Sequence, residues 1–229
     1  MTDKIVPRLS VDIISDVMCP WCIIGWLKFE RVIAHFADRL AFRVRWHPFE
    51  LNPDMPPEGE DAAGHVMRKY GISAQQSRAN SGRLARIAAE LGFAMNRGPD
   101  FRMRNSFDAH RLLAWAGALE DPDQAAATGV QTALKLALFR AHFTDNRDVS
   151  DPGVLADVAG SVGLDRARAA ALLAGDDYGA MVRDEEAYWI DRNITGVPAF
   201  ILDGRLLVPG AQEPEVFMDV IEKKVLAQA

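Results

Sequence analysis

The only two cysteines of the chain, Cys19 and Cys22, are separated by a proline and a tryptophan. The apolar-rich run Val11–Ser15 before them predicts a strand, and a helical pattern follows them directly. Cys19 is therefore expected at a helix N-terminus, where free N–H groups and the positive end of the helix dipole favour a thiolate. A thiolate attacks disulfides, and a second thiol within reach resolves the mixed disulfide. The pattern predicts a redox-active pair held between a strand and a helix.

Two other interpretations of the cysteine pair are weaker. The cysteines could be small buried hydrophobic residues, but Pro20 at the helix start and the strand before it fit a thioredoxin-like redox motif better. A closed zinc site needs about four ligands. The chain has no second cysteine pair, and its five histidines show no paired spacing. We therefore expect no metal.

Composition limits the partners and the location. The chain has 229 residues, of which 49% are hydrophobic and 25% charged, enough for one large domain or a domain with a substantial insertion. Its net charge of -6 gives no reason to expect nucleic acid or an anionic membrane as partner. Met1–Arg8 lacks an apolar signal segment and no run approaches the length of a membrane span, so we expect a cytoplasmic protein. In a reducing cytosol a disulfide is usually transient and catalytic.

The order of the elements predicted at the two ends of the chain is typical of a thioredoxin-like fold. Strand–helix–strand begins the chain, and strand–strand–helix ends it. These elements are strand Leu9–Ser15, a helix from the cysteines to about Ala37, strand Ala41–Phe49, strands Ala199–Leu202 and Arg205–Val208, and helix Glu213–Ala227.

Almost everything from Glu60 to Asn193 has a helical pattern. The predicted helices are Ser73–Leu91 with Ser73 as N-cap, Ser106–Leu119, one from Asp121-Pro122-Asp123 to near Phe143, two that begin near Ser150-Asp151-Pro152 and Gly163-Leu164-Asp165, and Asp176–Asn193. This stretch is too long for a loop, so we expect a packed insertion with its own core. We predict an α/β protein: a thioredoxin-like domain of residues 1–58 and 194–229, with an all-helical domain of residues 59–193 inserted between its βαβ and ββα halves.

The first helix predicts different environments for the two cysteines. Its apolar residues share one face with Cys22, namely Trp26, Phe29, Ile33 and Phe36. Lys28, Arg31 and His35 lie on the opposite face. Cys22 therefore points to the buried side, while Cys19 lies at the helix end. We predict an accessible, nucleophilic Cys19 and a buried, resolving Cys22.

Three runs together resemble the DsbA-like thioredoxin-fold family. They are Ser15–Gly25 around the cysteines, Asn105–Arg111, and Gly196–Phe200 with Gly210–Gln212. The similarity is closer to the cytosolic, FrnE-like branch, which shares a fold with 2-hydroxychromene-2-carboxylate isomerases and kappa-class glutathione transferases. The runs span nearly the whole chain in the expected order, so their combination is more specific than the Cys-Pro-Trp-Cys run alone.

The resemblance implies roles for further residues. In that family the proline that matches Pro198 is cis and faces the cysteines, so we expect Val197 and Pro198 to present backbone groups to an extended substrate beside Cys19. The resemblance also places Asn105, His110 and Arg111 across a cleft from the cysteines.

Several of these residues have a functional and a structural interpretation. His110 or Arg111 would stabilise a thiolate or hold an anionic ligand, and a solvated, capped helix face is an equal alternative. Pro20 and Trp21 are expected to contact substrate, with Trp21 exposed. For His47 a structural role is favoured over lining the cleft with Phe49 and Asn52, and Trp189 is expected in the core.

We predict a protein disulfide oxidoreductase that needs no cofactor and acts as a monomer or homodimer on proteins bearing thiols or disulfides. The isomerase and transferase relatives typically keep a serine or another residue at the cysteine positions. Retention of both thiols therefore favours thiol–disulfide exchange and leaves glutathione open as a co-substrate. The sequence does not fix the direction of the exchange.

Two alternatives stay open. The first is a glutathione-dependent isomerase or transferase for a small aromatic substrate, whose activity would survive loss of Cys22. The second is a redox-sensing binding module, whose affinity for a partner would change on oxidation without turnover.

Overall fold

A computed structural model describes residues 6–98, 100–121 and 127–228. The strands are β1 (Arg8–Ser15), β2 (Ala41–Pro48), β3 (Glu60–Asp61), β4 (Arg102–Met103), β5 (Ala199–Leu202) and β6 (Leu206–Pro209). The helices are α1 (Pro20–His35), α2 (Ala62–Tyr70), α3 (Ala74–Glu90), α4 (Phe107–Ala118), α5 (Val130–Phe143), α6 (Pro152–Ser161), α7 (Arg166–Ala174), α8 (Gly179–Asp191) and α9 (Pro214–Lys224). None of the described helices is long and apolar enough to span a membrane.

Four strands form the main sheet in the order β2-β1-β5-β6. β1 pairs with β2 in parallel and with β5 antiparallel, and β5 and β6 form an antiparallel hairpin. This confirms the predicted thioredoxin-like order of βαβ followed by ββα, with helices between the two halves. The sequence did not predict the short pair β3–β4, because two residues are too few to show an alternating pattern.

The helical region begins and ends close to where the sequence pattern placed it. Ser73 is the N-cap of α3, as predicted, and it forms a reciprocal capping box with Gln76. The helix predicted to begin at Asp121-Pro122-Asp123 begins instead at Val130 among the described residues, and residues 122 and 123 lie outside them.

One face of the sheet packs against α1 and α9. Phe29 of α1 contacts Phe42 of β2, Phe200 of β5 and Phe217 of α9 with ring centroids 5.1 to 5.9 Å apart. Because α9 covers the side of α1 that carries Lys28, this lysine is buried there and pairs with Glu213 at 2.6 Å.

The helical region does not have a core of its own. Buried residues of the sheet and α1 form one continuous apolar cluster with residues of the helices from α3 to α7. Trp46 of β2 contacts both Trp26 of α1 and Phe139 of α5 through its ring. The expectation of a separate core is therefore wrong. The division of the chain into two domains, with boundaries at residues 59 and 193, stays a prediction.

The side chain of Gln131 joins the helical region to the edge of the sheet. β2 is an edge strand, and its Trp46 N–H donates to Gln131 Oε1 at 2.9 Å. Gln131 Nε2 donates in return to Trp46 O at 3.0 Å and to Leu113 O at 3.2 Å. The amide satisfies both outward backbone groups of Trp46, as a neighbouring strand would.

His47 joins the opposite face of the sheet to α8. Its Nδ1 lies 2.5 Å from Glu185 Oε1 and its Nε2 lies 2.8 Å from Asp12 Oδ1. Burial lowers the pKa of His47, but the two carboxylates outweigh burial and raise this pKa above the ordinary 6.5. The structural interpretation of His47 fits this placement, although its partners are carboxylates rather than backbone.

Replacing Gln131 with leucine should destabilise the protein by about 3 kcal/mol, because two buried backbone groups of Trp46 lose their partners. Urea denaturation measures the change in the free energy of unfolding. Gln75→Leu, on the exposed side of α3, is the control and should stay within about 0.5 kcal/mol of the unsubstituted protein. Equal effects of the two substitutions would contradict the structural role of Gln131.

The stabilising contribution of His47 should fall as the pH rises. Because folding raises the pKa of His47, its contribution is complete below pH 6.5 and is lost as the pH passes through the raised value. We expect His47→Gln to lower the free energy of unfolding by about 2 kcal/mol near pH 6, and by progressively less toward pH 9. Urea denaturation of both proteins at several pH values measures this difference. Other titrating groups, such as Glu50, contribute equally to the free energy of unfolding of both proteins and therefore cancel. A difference that stays constant or grows with pH would contradict the assignment.

Candidate active site

The two cysteines lie at the N-terminus of α1. Cys19 is the N-cap residue with extended backbone, and Pro20 occupies the first turn. The Cys22 N–H donates to Cys19 O at 3.0 Å, which closes the turn between them. The two residues approach to 3.5 Å and both thiols are free. A disulfide between them therefore requires only a small movement of the sulfurs.

Both cysteines are buried. Cys22 is 1% exposed and Cys19 is 4% exposed, so the prediction of an accessible Cys19 is wrong. The loop before β5 lies against Cys19, whose S–H donates to Val197 O at 3.6 Å. Cys19 nevertheless lines a cavity together with Pro20 and Trp21, whereas Cys22 does not.

The Val197–Pro198 peptide bond is cis, as the resemblance implied. Pro198 O accepts a hydrogen bond from Gly210 N at 2.7 Å, which ties this loop to the end of β6. On the other side, the Pro198 ring packs against α1 at Gly25, where an added Cβ would lie 3.1 Å from Pro198 Cγ. The loop is therefore held both to the sheet and to the helix that carries the cysteines.

Asp16 is a fully buried carboxylate next to the cysteines. Its Oδ1 accepts from Met18 N at 3.0 Å and its Oδ2 accepts from Leu51 N at 2.7 Å. Burial raises the pKa of Asp16, but His110 and these backbone donors outweigh burial and hold it below its ordinary value. Asp16 is therefore ionised at neutral pH.

Lys135 of α5 is the second buried charge beside the cysteines, and none of its surface is exposed. Its Nζ donates to Ser15 O at 3.2 Å. Burial lowers the pKa of Lys135 to about 8, although Cys22, Asp16 and Cys19 act in the opposite direction.

The pKa values of the two thiols are shifted in opposite directions, mainly by the contact of each thiol with the other. A hydrogen bond to Cys22 and burial, with a smaller contribution from Asp16, raise the pKa of Cys19. Burial also raises the pKa of the Cys22 thiol, but its contact with Cys19, the charge of Lys135 and a hydrogen bond with Ser15 outweigh burial and lower it. The thiolate that the sequence predicts on Cys19 stays a prediction.

The cavity beside Cys19 has a volume of about 440 Å³ and lies between α1 and the helices α2 and α3. Trp21 and Asn52 line it, and Trp21 is partly rather than fully exposed. His47 and Phe49, which were weighed together with Asn52 as residues lining the cleft, do not line this cavity. His47 lies on the α8 side of the sheet, and Phe49 packs with Trp189 in a small core cluster. The expected burial of Trp189 is confirmed.

The three residues expected across the cleft have separate environments. His110 Nε2 lies 3.7 Å from Asp16 Oδ1, so it contacts the site only through that carboxylate. Arg111 turns away and donates to Asp108 Oδ1 and to the carbonyls of Leu172, Gly175 and Asp177. Asn105 lines a different cavity and accepts from Phe107 N. The structure thus places none of the three on the cavity at Cys19.

Sequence reasoning missed Asp16, Lys135 and the cations of the cavity. Lys135 had a usable signal, because it is a single charged residue in the apolar run Ala133–Phe139 of α5. Asp16 had a weaker signal in its position directly after the apolar strand. Lys69, Arg83 and Arg97 had none, since only the packing of α2 and α3 brings them together.

The described residues contain no group of three or more histidine, cysteine, aspartate or glutamate side chains that could hold a metal ion.

The chain belongs to a family of redox proteins. Residues 10–222 match the DSBA-like thioredoxin domain, and this match covers most of the chain. A probable DsbA oxidoreductase from Streptomyces coelicolor has a solved structure that is 34% identical, with a TM-score of 0.84 over 94% of this chain and 89% of its own. The chain is thus a DsbA-like member of the thioredoxin-fold oxidoreductases.

Other known proteins are more distant. An uncharacterized protein of Bacillus subtilis (strain 168), YwbO, is 27% identical over 93% of this chain and 96% of its own. A 2-hydroxychromene-2-carboxylate isomerase shares the fold at 16% identity, with a TM-score of 0.66 over 96% of both chains. A cytosolic disulfide reductase from Pseudomonas aeruginosa, DsbM, solved with GSH, shares it at 18% identity, with a TM-score of 0.61 over 95% of this chain and 99% of its own. These structures are consistent with the relationships that the sequence runs indicated.

Proposed function

We propose that this protein catalyses thiol–disulfide exchange, with Cys19 as the sulfur that reacts with substrate and Cys22 as the buried resolving sulfur. The observation that carries the proposal is the asymmetric pair. The only two cysteines of the chain approach to 3.5 Å, and Cys19, unlike Cys22, lines the cavity beside Trp21. Membership of the DsbA-like family supports it.

The oxidising direction takes two displacement steps. A substrate thiolate attacks Cys19 Sγ of the disulfide, and the bonding electron pair leaves with Cys22 as a thiolate. A second substrate thiolate then attacks the substrate sulfur of the mixed disulfide and Cys19 leaves as a thiolate, which takes up a proton. Two electrons pass from the substrate thiols to the cysteine pair. The reverse steps reduce a substrate disulfide, and the cytoplasmic location expected from the sequence would favour that direction.

The burial of Cys19 suits a substrate that approaches in an extended form. Val197 O accepts a weak hydrogen bond from Cys19, and an N–H of an extended peptide could replace that donor. Such a peptide would lie between the Val197–Pro198 loop and Trp21, and would place its cysteine over Cys19. Protein thiols or disulfides are therefore the substrates that we propose.

The cavity at Cys19 favours glutathione as a second substrate. Lys69, Arg83 and Arg97 line the cavity, and no carboxylate does among the residues described. Arg97 is half-buried with its guanidinium 4.9 Å from the Phe101 ring, and has no carboxylate within 4.0 Å in the described part of the chain. Glutathione carries two carboxylates and a thiol. DsbM has been solved with GSH, which makes glutathione the small thiol to test first.

Removal of the resolving sulfur tests the main proposal. Cys22→Ala, incubated in a cell extract, should accumulate proteins bound to Cys19 by bonds that a reductant cleaves, since the mixed disulfide cannot be resolved from within. Mass spectrometry identifies these adducts. Cys19→Ala is the matched control and should trap at least tenfold less, because Cys22 lies away from the cavity. An unmodified Cys19 in the Cys22→Ala protein would refute the proposal, and adducts of glutathione alone would favour the isomerase or transferase alternative.

Loss of the Arg97 guanidinium tests the glutathione interaction. Arg97→Gln should weaken the reaction of the oxidised protein with reduced glutathione about tenfold at subsaturating concentrations, because a charge-assisted hydrogen bond to a ligand carboxylate is lost. Its reaction with the uncharged thiol 2-mercaptoethanol should not change. Arg86→Gln, exposed on α3 and paired with Glu90, is the control. Equal rates with glutathione for the two variants would contradict a role of Arg97 in binding.

A further inference from the structure

His65 of α2 has a hydrogen-bond acceptor at each of its two ring nitrogens. Its Nδ1 lies 2.6 Å from Glu60 Oε2, and its Nε2 lies 3.0 Å from Asn52 Oδ1. The His65 side chain is 14% exposed, and both His65 and Asn52 line the cavity beside Cys19. The ring therefore joins two parts of the cavity wall, namely α2 and the segment after β2 that carries Asn52.

Neither partner of the ring is able to donate a hydrogen bond to it. The Lys69 ammonium group, which only donates, lies 2.7 Å from the same Asn52 Oδ1 and so fixes this atom as the amide oxygen. Glu60 Oε2 also accepts from Arg68 Nη2 at 2.6 Å. The hydrogen bond with His65 and the charge of Arg68 outweigh desolvation and hold the pKa of Glu60 below its ordinary value of 4.5. Glu60 is therefore an ionised carboxylate, which only accepts.

Two acceptors require a ring with two N–H groups, and only the protonated imidazolium has them. The neutral ring keeps one N–H and turns a lone pair toward the other oxygen. Because a carboxylate is the stronger acceptor, the neutral His65 ring keeps Glu60 and releases Asn52. Histidine changes its charge between pH 5 and pH 8. The bond from His65 to Asn52 therefore depends on pH in this range.

α2 is joined to the segment after β2 by few polar contacts. All but the first of its nine residues are at least partly exposed. Besides His65, Lys69 of α2 bonds to this segment, at Asn52 Oδ1 and at Leu51 O, the latter at 2.8 Å. The segment itself is anchored to the site, because Leu51 N donates to Asp16 Oδ2. When the bond between His65 and Asn52 breaks, α2 is therefore the part that moves.

We propose that protonated His65, bonded to Glu60 and Asn52, is a pH-sensitive latch that holds α2 against the segment after β2, and that loss of its proton releases α2 and widens the way to Cys19. The inference rests on the proposed function, since it concerns how substrates reach the reactive sulfur. Cys19 is 4% exposed, so a small thiol fits the cavity with the latch closed, whereas a protein substrate needs a wider opening. The latch therefore selects substrates by size, and it favours small thiols at acidic pH.

Other charged and titratable groups surround the latch. They are Glu60, Arg68 and Lys69, which bond to the latch or to its partners, Asp61, which caps α2, Arg102 of β4, Arg83 and Arg97, which line the cavity, and the Cys19 thiol. Glu50, in the segment after β2, titrates in the same range, because burial and then the charge of Glu186 raise its pKa to about 7. A substitution of His65 leaves all of these groups in place, so a pH effect that disappears with His65 is due to that ring.

Hydrogen exchange of the α2 amides tests the latch without involving the cysteines. Glutamine carries its donors on one atom and does not change charge, so His65→Gln resembles the neutral ring at every pH. Near pH 5 the α2 amides should exchange about tenfold faster in His65→Gln than in the unsubstituted protein, because a hydrogen bond from a charged group is lost. Near pH 8 the two proteins should exchange equally. His35→Gln, at an exposed histidine of α1, is the control and should match the unsubstituted protein throughout.

Labelling of Cys19 tests whether the latch controls access to the sulfur. In a Cys22→Ala background, the rate with a maleimide on a long polyethylene glycol chain is divided by the rate with N-ethylmaleimide. The thiolate fraction affects both reagents equally and cancels in this ratio. The ratio should rise about tenfold from pH 5 to pH 8 when His65 is present, and should stay at its higher value at every pH in His65→Gln.

Asn52→Asp keeps the inference testable if His65→Gln does not fold. A carboxylate in place of the amide oxygen favours the protonated ring, so the rise in the labelling ratio should move to higher pH. A histidine that only fills space in the cavity wall predicts no such movement.

Equal exchange of the α2 amides in His65→Gln and His35→Gln at acidic pH, or a labelling ratio that does not change with pH, would overturn the inference. Trapping of proteins on Cys19 is a separate result. Trapping without a pH-dependent latch would reject the latch alone, and a pH-dependent latch without trapping would reject the proposed function.

Discussion

The hydrogen bonds between the Gln131 side chain and the Trp46 backbone are the interaction on which the arrangement of the site depends. They close the exposed edge of β2 with a helix instead of another strand. The backbone donors and acceptors of an edge strand have fixed positions. This contact therefore sets how far α5 lies from β2 and at which residue of β2 the helix packs. The ring of Trp46 then packs against Phe139 and fills the space between β2 and α5. The active site is therefore built at a junction that polar pairing positions and apolar packing stabilises.

Two buried charges of opposite sign, Asp16 and Lys135, lie beside the segment that leads into the cysteine pair. A helix N-terminus alone acts on both sulfurs, because its dipole and free N–H groups serve the whole first turn. Asp16 and Lys135 approach from different elements and act unequally on the two thiols. They are compatible with chemistry at Cys19, since the outer sulfur is attacked most easily when the inner one is the better leaving group.

The sequence predicted the elements that local patterns determine. The β1–α1–β2 unit, the β5–β6 hairpin and the cap at Ser73 are confirmed, because alternation, helical periodicity and capping residues are visible over a few residues. The environments of side chains in the helical region depend on contacts far apart in sequence, and here the predictions were less successful. Arg111 was expected near the cysteines but bonds to carbonyls more than 60 residues away. The burial of Cys19 likewise depends on Val197, which is distant in sequence and adjacent in space.

The close contact between Gly25 and Pro198 has a consequence for how the site can vary. The gap between α1 and the Val197–Pro198 loop is as narrow as a glycine permits, since even a methyl group at position 25 would require the ring to move by a few tenths of an ångström. That displacement would be passed along the loop to the carbonyl that accepts the Cys19 hydrogen bond. Gly25, one helical turn beyond the cysteines, therefore acts as a spacer, and the clearance above the Cys19 sulfur can change without altering any polar group of the site.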